Sequence, residues 1–162
     1  MEAQTNMEKY DNYRHLKADL KKAMNAGFYY QAIFIEYAIA EDRCCSALIY
    51  AGVKHLNKRG FELKLSEKIR KLREHSAFTA KYPRKRLPPA FLDELIEWKR
   101  ERDALVHDLV NRPYNDDALR EIAERGKTLT DQLSNRVRSV NEYHKKQNLQ
   151  REIITDEQGE NI

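Results

Sequence analysis

The sequence predicts an all-α protein, a single up-and-down-like bundle of about five helices. Three observations carry that expectation. Only five Gly and four Pro occur in 162 residues, while charged residues make up 35% and hydrophobic ones 41%. That balance favours long amphipathic helices with charged outer faces over a loop-rich or all-β chain. Apolar residues recur at steps of three and four along most of the chain, the period of a helix with one buried face. One segment, "FYYQAIFIEYAIAEDRCCSALIYAGV", is apolar nearly all round and is expected to be the central, most buried element.

In chain order, Thr5 and Glu8 have capping-box spacing and open a first helix with Tyr10, Tyr13, Leu16, Leu20 and Met24 on its inner stripe. Gly27 ends it. The apolar segment follows, and its polar groups Glu36, Glu41, Asp42 and Arg43 are placed to support any internal site. A linker through Gly60 leads to Ser66, the expected N-cap of "SEKIRKLREHSAF", with Ile69, Leu72 and Ser76 facing inward. "KYPRKRLPP" reads as a basic loop, and Pro88 and Pro89 suit the start of the next helix. "NRPYNDD" breaks that helix, and Asp116 or Asp117 is expected to cap the last one. There Leu119, Ile122, Gly126, Leu129, Leu133, Val140 and Tyr143 keep a seven-residue rhythm to about residue 148. Gly126 lies on the stripe, which implies close contact with a neighbouring helix. One helical domain is therefore expected over 1–148, with a polar acidic tail over 149–162 expected to be disordered.

Composition also bounds the function. No apolar run reaches the length of about eighteen residues that spans a bilayer. The opening "MEAQTNMEKYDNY" lacks the apolar core of a signal peptide, so the expected location is the cytoplasm. Cys44 and Cys45 are adjacent and suggest neither a disulfide framework nor a metal site. The net charge is +4, but the last fourteen residues hold four acids and one base, leaving 29 bases against 22 acids in the body. A basic body suits an anionic partner such as nucleic acid.

The informative stretch is "EWKRERDALVHDLV". On a wheel at about 100° per residue, Leu92, Leu95, Ile96, Val106, Leu109 and Val110 form one apolar stripe. Lys99 and Asp103 lie near its centre, with Arg102 and His107 on opposite flanks about 140° apart. Charges placed there must either leave the core or meet partners in a cleft or interface. Arg-x4-6-His spacings also occur at Arg70–His75, Arg100–His107 and Arg138–His144, but Arg70 and Arg138 point away from their helices' apolar stripes. His75 and His144 face theirs and read as packed residues.

The run Arg-Asp-Ala-Leu-Val-His, Arg102 to His107, resembles the Arg-x4-6-His motif of the HEPN superfamily. That family comprises helical-bundle proteins, many of them metal-independent ribonucleases of toxin–antitoxin, abortive-infection and CRISPR-linked systems. The resemblance implies an endoribonuclease acting as a homodimer on RNA, a toxin or phage-defence effector with a cognate antitoxin protein as a further partner. Cleavage by attack of the ribose 2′-hydroxyl needs a base, an acid and positive charge on the phosphorane-like transition state. His107 supplies acid–base chemistry, and Arg102 a guanidinium matched to phosphate oxygens. Asp103, one helical turn before His107, is placed to fix its tautomer. One chain offers one such histidine, and a twofold interface along this helix offers two.

Lys99, Arg100, Arg84, Lys85 and Arg86 are candidate RNA-phosphate contacts, and Tyr82 a candidate stacking platform for a base. No metal-ligand cluster is present in the sequence, and no cofactor is invoked. Some relatives carry Tyr two places after the His, where this chain has Leu109, so regulation by modifying that tyrosine is not expected. The alternative reading is a catalytically inactive bundle of the same shape, binding a protein or RNA partner. A DNA-binding regulator would need a short helix-turn-helix pair, which is not recognisable here.

Overall fold

A computed structural model describes residues 6–111 and 115–159, with side chains described for 7–111 and 115–151. The protein is all-α: seven helices and no strand are found among the described residues. They are α1 (Asn6–Ala26), α2 (Tyr29–Tyr50), α3 (Leu65–Glu74), α4 (Ser76–Thr79), α5 (Lys81–Arg86), α6 (Pro89–His107) and α7 (Asp116–Gly159). No described helix is long and apolar enough to cross a membrane. Their contacts gather into two compact units, Met1–Ile39 with Trp98–Thr130, and Ala40–Glu97 with Asp131–Ile162.

In the first unit, α1 ends as expected at Gly27, whose positive φ of 73° needs no Cβ. The amides of Gly27 and Phe28 close back onto the carbonyls of Met24 and Ala23, which satisfies the end of the helix. Thr5 lies outside the described residues. Leu20, Ala23, Ala32, Ile33, Ile35, Ile39, Leu119 and Ala123 form the core, with Tyr13, Leu16 and Met24 packed against it. Tyr10 is exposed, so the inner stripe of α1 begins a turn later than expected.

The apolar character of α2 does not make it buried all round, because Phe28 before it and Phe34, Ile49 and Tyr50 within it are exposed. Composition cannot tell a fully covered helix from one with an open apolar face. Asn115, rather than Asp116 or Asp117, caps α7: its Oδ1 accepts from the Ala118 amide at 3.1 Å. Gly126 is the close approach that its place on the stripe implied. A Cβ there would lie 2.1 Å from Glu36 Oε2 and 2.6 Å from Trp98 Nε1.

In the second unit, the linker through Gly60 is a tight turn. Leu56 bridges Glu62, and Asn57 Oδ1 accepts from the amides of Arg59 and Phe61. Helix α3 starts one residue before Ser66, with Lys64 as its N-cap. Glu67 reaches back to accept the Lys64 amide at 3.1 Å, so Ser66 falls in the first turn and points outward. The expected single helix through Phe78 breaks at His75, which is extended and exposed. Its Nδ1 accepts the Ala77 amide and so caps α4; Ser76 is exposed rather than inward.

The "KYPRKR" stretch is helix α5, not a loop. Pro83 sits in its first turn, where no intrahelical N–H is needed, and is buried. Pro89 opens α6 as expected. Lys68 is fully buried, its ammonium 2.8 Å from the exposed Glu62 carboxylate. Burial opposes its charge, but the Glu62 hydrogen bond and nearby negative charge outweigh that and raise its pKa. Cys44 and Cys45 are buried and form no disulfide among the described residues, and burial pushes the Cys44 thiol up to about 12, which keeps it unreactive. Helix α7 runs to Gly159, beyond the end of the heptad rhythm near residue 148.

His144 is buried, as the stripe implied, edge-on to the rings of Phe78 and Tyr143. Its Nε2 has no hydrogen-bond partner among the described residues. Burial, helped by the Arg151 charge, depresses its pKa below the usual 6.5. The folded state therefore takes up this proton less readily than the unfolded chain. The stabilisation is complete above the unfolded value and is lost as pH falls through the folded one. Melting temperature should drop as pH is lowered from 7.5 to 5, and His144→Leu should flatten that slope. An equal slope in the variant would assign the effect elsewhere.

Candidate functional site

The inner face of α6 follows Phe91, Leu95 and Trp98, all buried, and then passes into Lys99, Arg102 and Asp103. Val106, Leu109 and Val110 do not continue the stripe inward; they are exposed, Val110 at 92%. The wheel assumed one straight buried face, but the inner face rotates onto Trp98 and Leu105. The interruption by charge is real nonetheless. The side chains of Lys99 and Arg102 are each 18% exposed and that of Asp103 is 30% exposed.

Three charges sit this deep because they are partnered. Asp103 takes Lys99 on one carboxylate oxygen at 2.5 Å and Arg102 on the other at 3.2 Å. Burial by itself would raise the Asp103 pKa, but the two cations more than offset it and hold the carboxyl below its usual range. The Arg102 guanidinium lies over the Tyr37 ring, 4.1 Å from its centroid, a cation–π contact in a half-buried setting. Its Nε is buried and donates to no group among the described residues. Tyr37 is a member of this cluster that the sequence did not reveal, since it lies 65 positions upstream on a different helix.

His107 is the last residue of α6 and is exposed. No hydrogen bond or ion pair engages its imidazole among the described residues. Asp103, expected to orient that ring, is instead engaged by Lys99 and Arg102. The structure thus joins Lys99, Arg102 and Asp103 and leaves His107 apart from them, one turn further on. Arg100 is exposed on the outer side of the same helix.

The other candidate residues lie on α5, in the second unit. Arg84, Lys85 and Arg86 are exposed. Tyr82 is 38% exposed and stacks on Tyr143 with centroids 4.9 Å apart, while the Arg86 guanidinium lies 5.3 Å from the Tyr82 centroid. Arg136 holds the end of this helix by donating to the Arg86 carbonyl at 2.8 Å and covering Phe91. Part of the Tyr82 ring is therefore committed to packing. No group of three or more His, Cys, Asp or Glu side chains arranged to hold a metal occurs among the described residues. Comparison of the chain with protein-family models, curated proteins and solved structures finds no match in any of the three.

Proposed function

We propose that this protein is a metal-independent cytoplasmic endoribonuclease of the HEPN type, acting as a homodimer, with Arg102 and His107 as its reacting groups. The observation that carries the reading is the contrast between these two side chains on one helix. Arg102 is fixed by Asp103 and Tyr37, while His107 at the helix end is exposed and has no hydrogen bond or ion pair among the described residues. A fixed cation suits a developing phosphorane charge. An exposed imidazole suits proton transfer, which needs a ring nitrogen within reach of the substrate. Asp103 then acts as a positioning residue for Arg102 rather than for His107.

The exposed apolar side chains Val106, Leu109 and Val110 flank His107 and favour a twofold contact there, which would bring a second histidine as acid to the first one's base. Lys99 and Arg100 continue the basic character of the helix toward an RNA backbone, and α5 offers Arg84, Lys85 and Arg86 with Tyr82 at its edge. A role as toxin or phage-defence effector with a protein antitoxin belongs to the same reading.

A second reading is favoured by one observation: the Lys99–Asp103–Arg102 network is internally paired and needs no substrate to explain it. On that reading the protein is a catalytically inactive bundle that binds RNA or a protein. Purified protein incubated with RNA in EDTA separates the two. Cleavage should persist, leave 2′,3′-cyclic phosphate ends and show a bell-shaped pH profile, since one His must be neutral and the other charged. RNA bound but left intact would establish the second reading. Abolition of cleavage by chelation, or a strictly monomeric protein, would remove the two-histidine site.

A further inference from the structure

The positive charge of the chain is not shared between its two units. The first unit balances, with 12 bases against 12 acids, so the whole surplus lies in the second. Much of it gathers over residues 54–73, which hold eight bases and two acids. Both acids are engaged inside the segment: Glu62 pairs with the buried Lys68, and Glu67 accepts the Lys64 amide. None of these bases lies on α5 or α6, where the other basic candidates are.

The start of this segment is the turn between α2 and α3, and its backbone is braced. The Asn57 amide donates to the Phe61 carbonyl at 2.8 Å, and the Leu63 amide to the His55 carbonyl at 2.9 Å. The Asn57 side chain ties down the amides of Arg59 and Phe61 between them. Gly60 takes the positive φ of 82° that closes the tip. From α3, Lys71 donates its ammonium to the Lys54 carbonyl at 2.7 Å. The tip is therefore shaped before any partner arrives, which lowers the ordering cost of binding.

On this braced tip Lys58, Arg59 and Phe61 are all exposed, Phe61 at 67%. A lone exposed apolar side chain is ordinary. A ring two residues from a Lys-Arg pair is more specific, because it offers a stacking face with positive charge beside it. Every base has a face that stacks on an aromatic ring, and the phosphates next to it meet the cations. A duplex hides those faces, so the matching partner is a single strand. A lipid surface would gain little from one ring, since binding there scales with buried apolar area. An acidic peptide would use the cations and leave the ring idle.

We infer that the 57–61 tip is a contact for single-stranded RNA, with Phe61 stacking on a base and Lys58 and Arg59 meeting the phosphates beside it. The choice of RNA rests on the ribonuclease reading; the stacking and phosphate contacts do not. The experiment therefore measures binding alone, by fluorescence anisotropy with a labelled 2′-O-methyl oligouridine. That probe has no free 2′-hydroxyl, so it is bound without being cut.

Phe61→Leu should weaken binding about tenfold, within the range for loss of one stacked base. Phe61→Trp should keep wild-type affinity. Phe61→Leu should leave binding of the matching duplex unchanged. Lys58→Ala combined with Arg59→Ala should lower the slope of log affinity against log salt by about 1.4, since each phosphate neutralised on a single strand contributes about 0.7. These side chains are exposed, so thermal melts of all variants should match the parent. The same losses in a protein that cuts no RNA would keep the contact and discard the ribonuclease. Wild-type affinity in Phe61→Leu, an equal loss on the duplex, or an unchanged salt slope would each overturn the contact. So would loss of binding to phosphatidylserine vesicles in Phe61→Leu with oligouridine binding retained, which would make the tip a membrane contact.

Discussion

Replacing His107 by alanine should cut the rate of RNA cleavage by about 10²–10⁴-fold, the usual contribution of a positioned acid or base, while leaving the melting temperature unchanged. The second half follows from the structure. His107 is exposed at the end of α6 and holds no hydrogen bond or ion pair among the described residues, so its removal strands nothing. Arg102 differs in kind. Arg102→Lys keeps a charge but loses the planar fork that meets Asp103 and stacks on Tyr37, so both activity and, to a smaller degree, stability should fall. Cleavage assays paired with thermal melts read both quantities. Full activity in His107→Ala would end the proposed mechanism. A large loss of melting temperature in that variant would mean that its role is structural.

Gly126→Ala should destabilise the protein by about 1–3 kcal/mol, the usual cost of overpacking a tight core. This runs against intrinsic propensity, which favours Ala over Gly in a helix by about 1 kcal/mol. The new methyl would stand 2.6 Å from Trp98 Nε1 and 2.8 Å from its Cε2, a rigid ring that also donates to Ile122, and 2.1 Å from Glu36 Oε2. Glu36 is a chain end able to shift; the indole, fully buried, is not. Trp98→Ala alone should cost about 3–5 kcal/mol. Adding Gly126→Ala to it should cost little or stabilise, because the space is then open. A double-mutant cycle by urea denaturation measures the coupling, expected at about 0.5–3 kcal/mol. Additive changes would show that the indole is not what excludes the methyl.

The residues themselves determined a good deal. Three- and four-residue periodicity with few Gly and Pro is enough for an all-α chain, because only helices bury such a pattern on one face. Gly27, Pro89 and the Gly126 stripe could be read locally, since a positive φ, a first-turn proline and a close helix approach each demand a residue type. The break in the apolar face of α6 was visible at Lys99, Arg102 and Asp103, because unpaired charge on a buried stripe is too costly to occur without partners.

What answered those charges was decided only by tertiary structure. Tyr37 comes from α2, and Asp103 chose Lys99 and Arg102 over His107 because two cations were within reach. Helix ends depended on which neighbour capped them, as at Lys64, His75 and Asn115, and a proline read as a loop proved to be the first turn of α5.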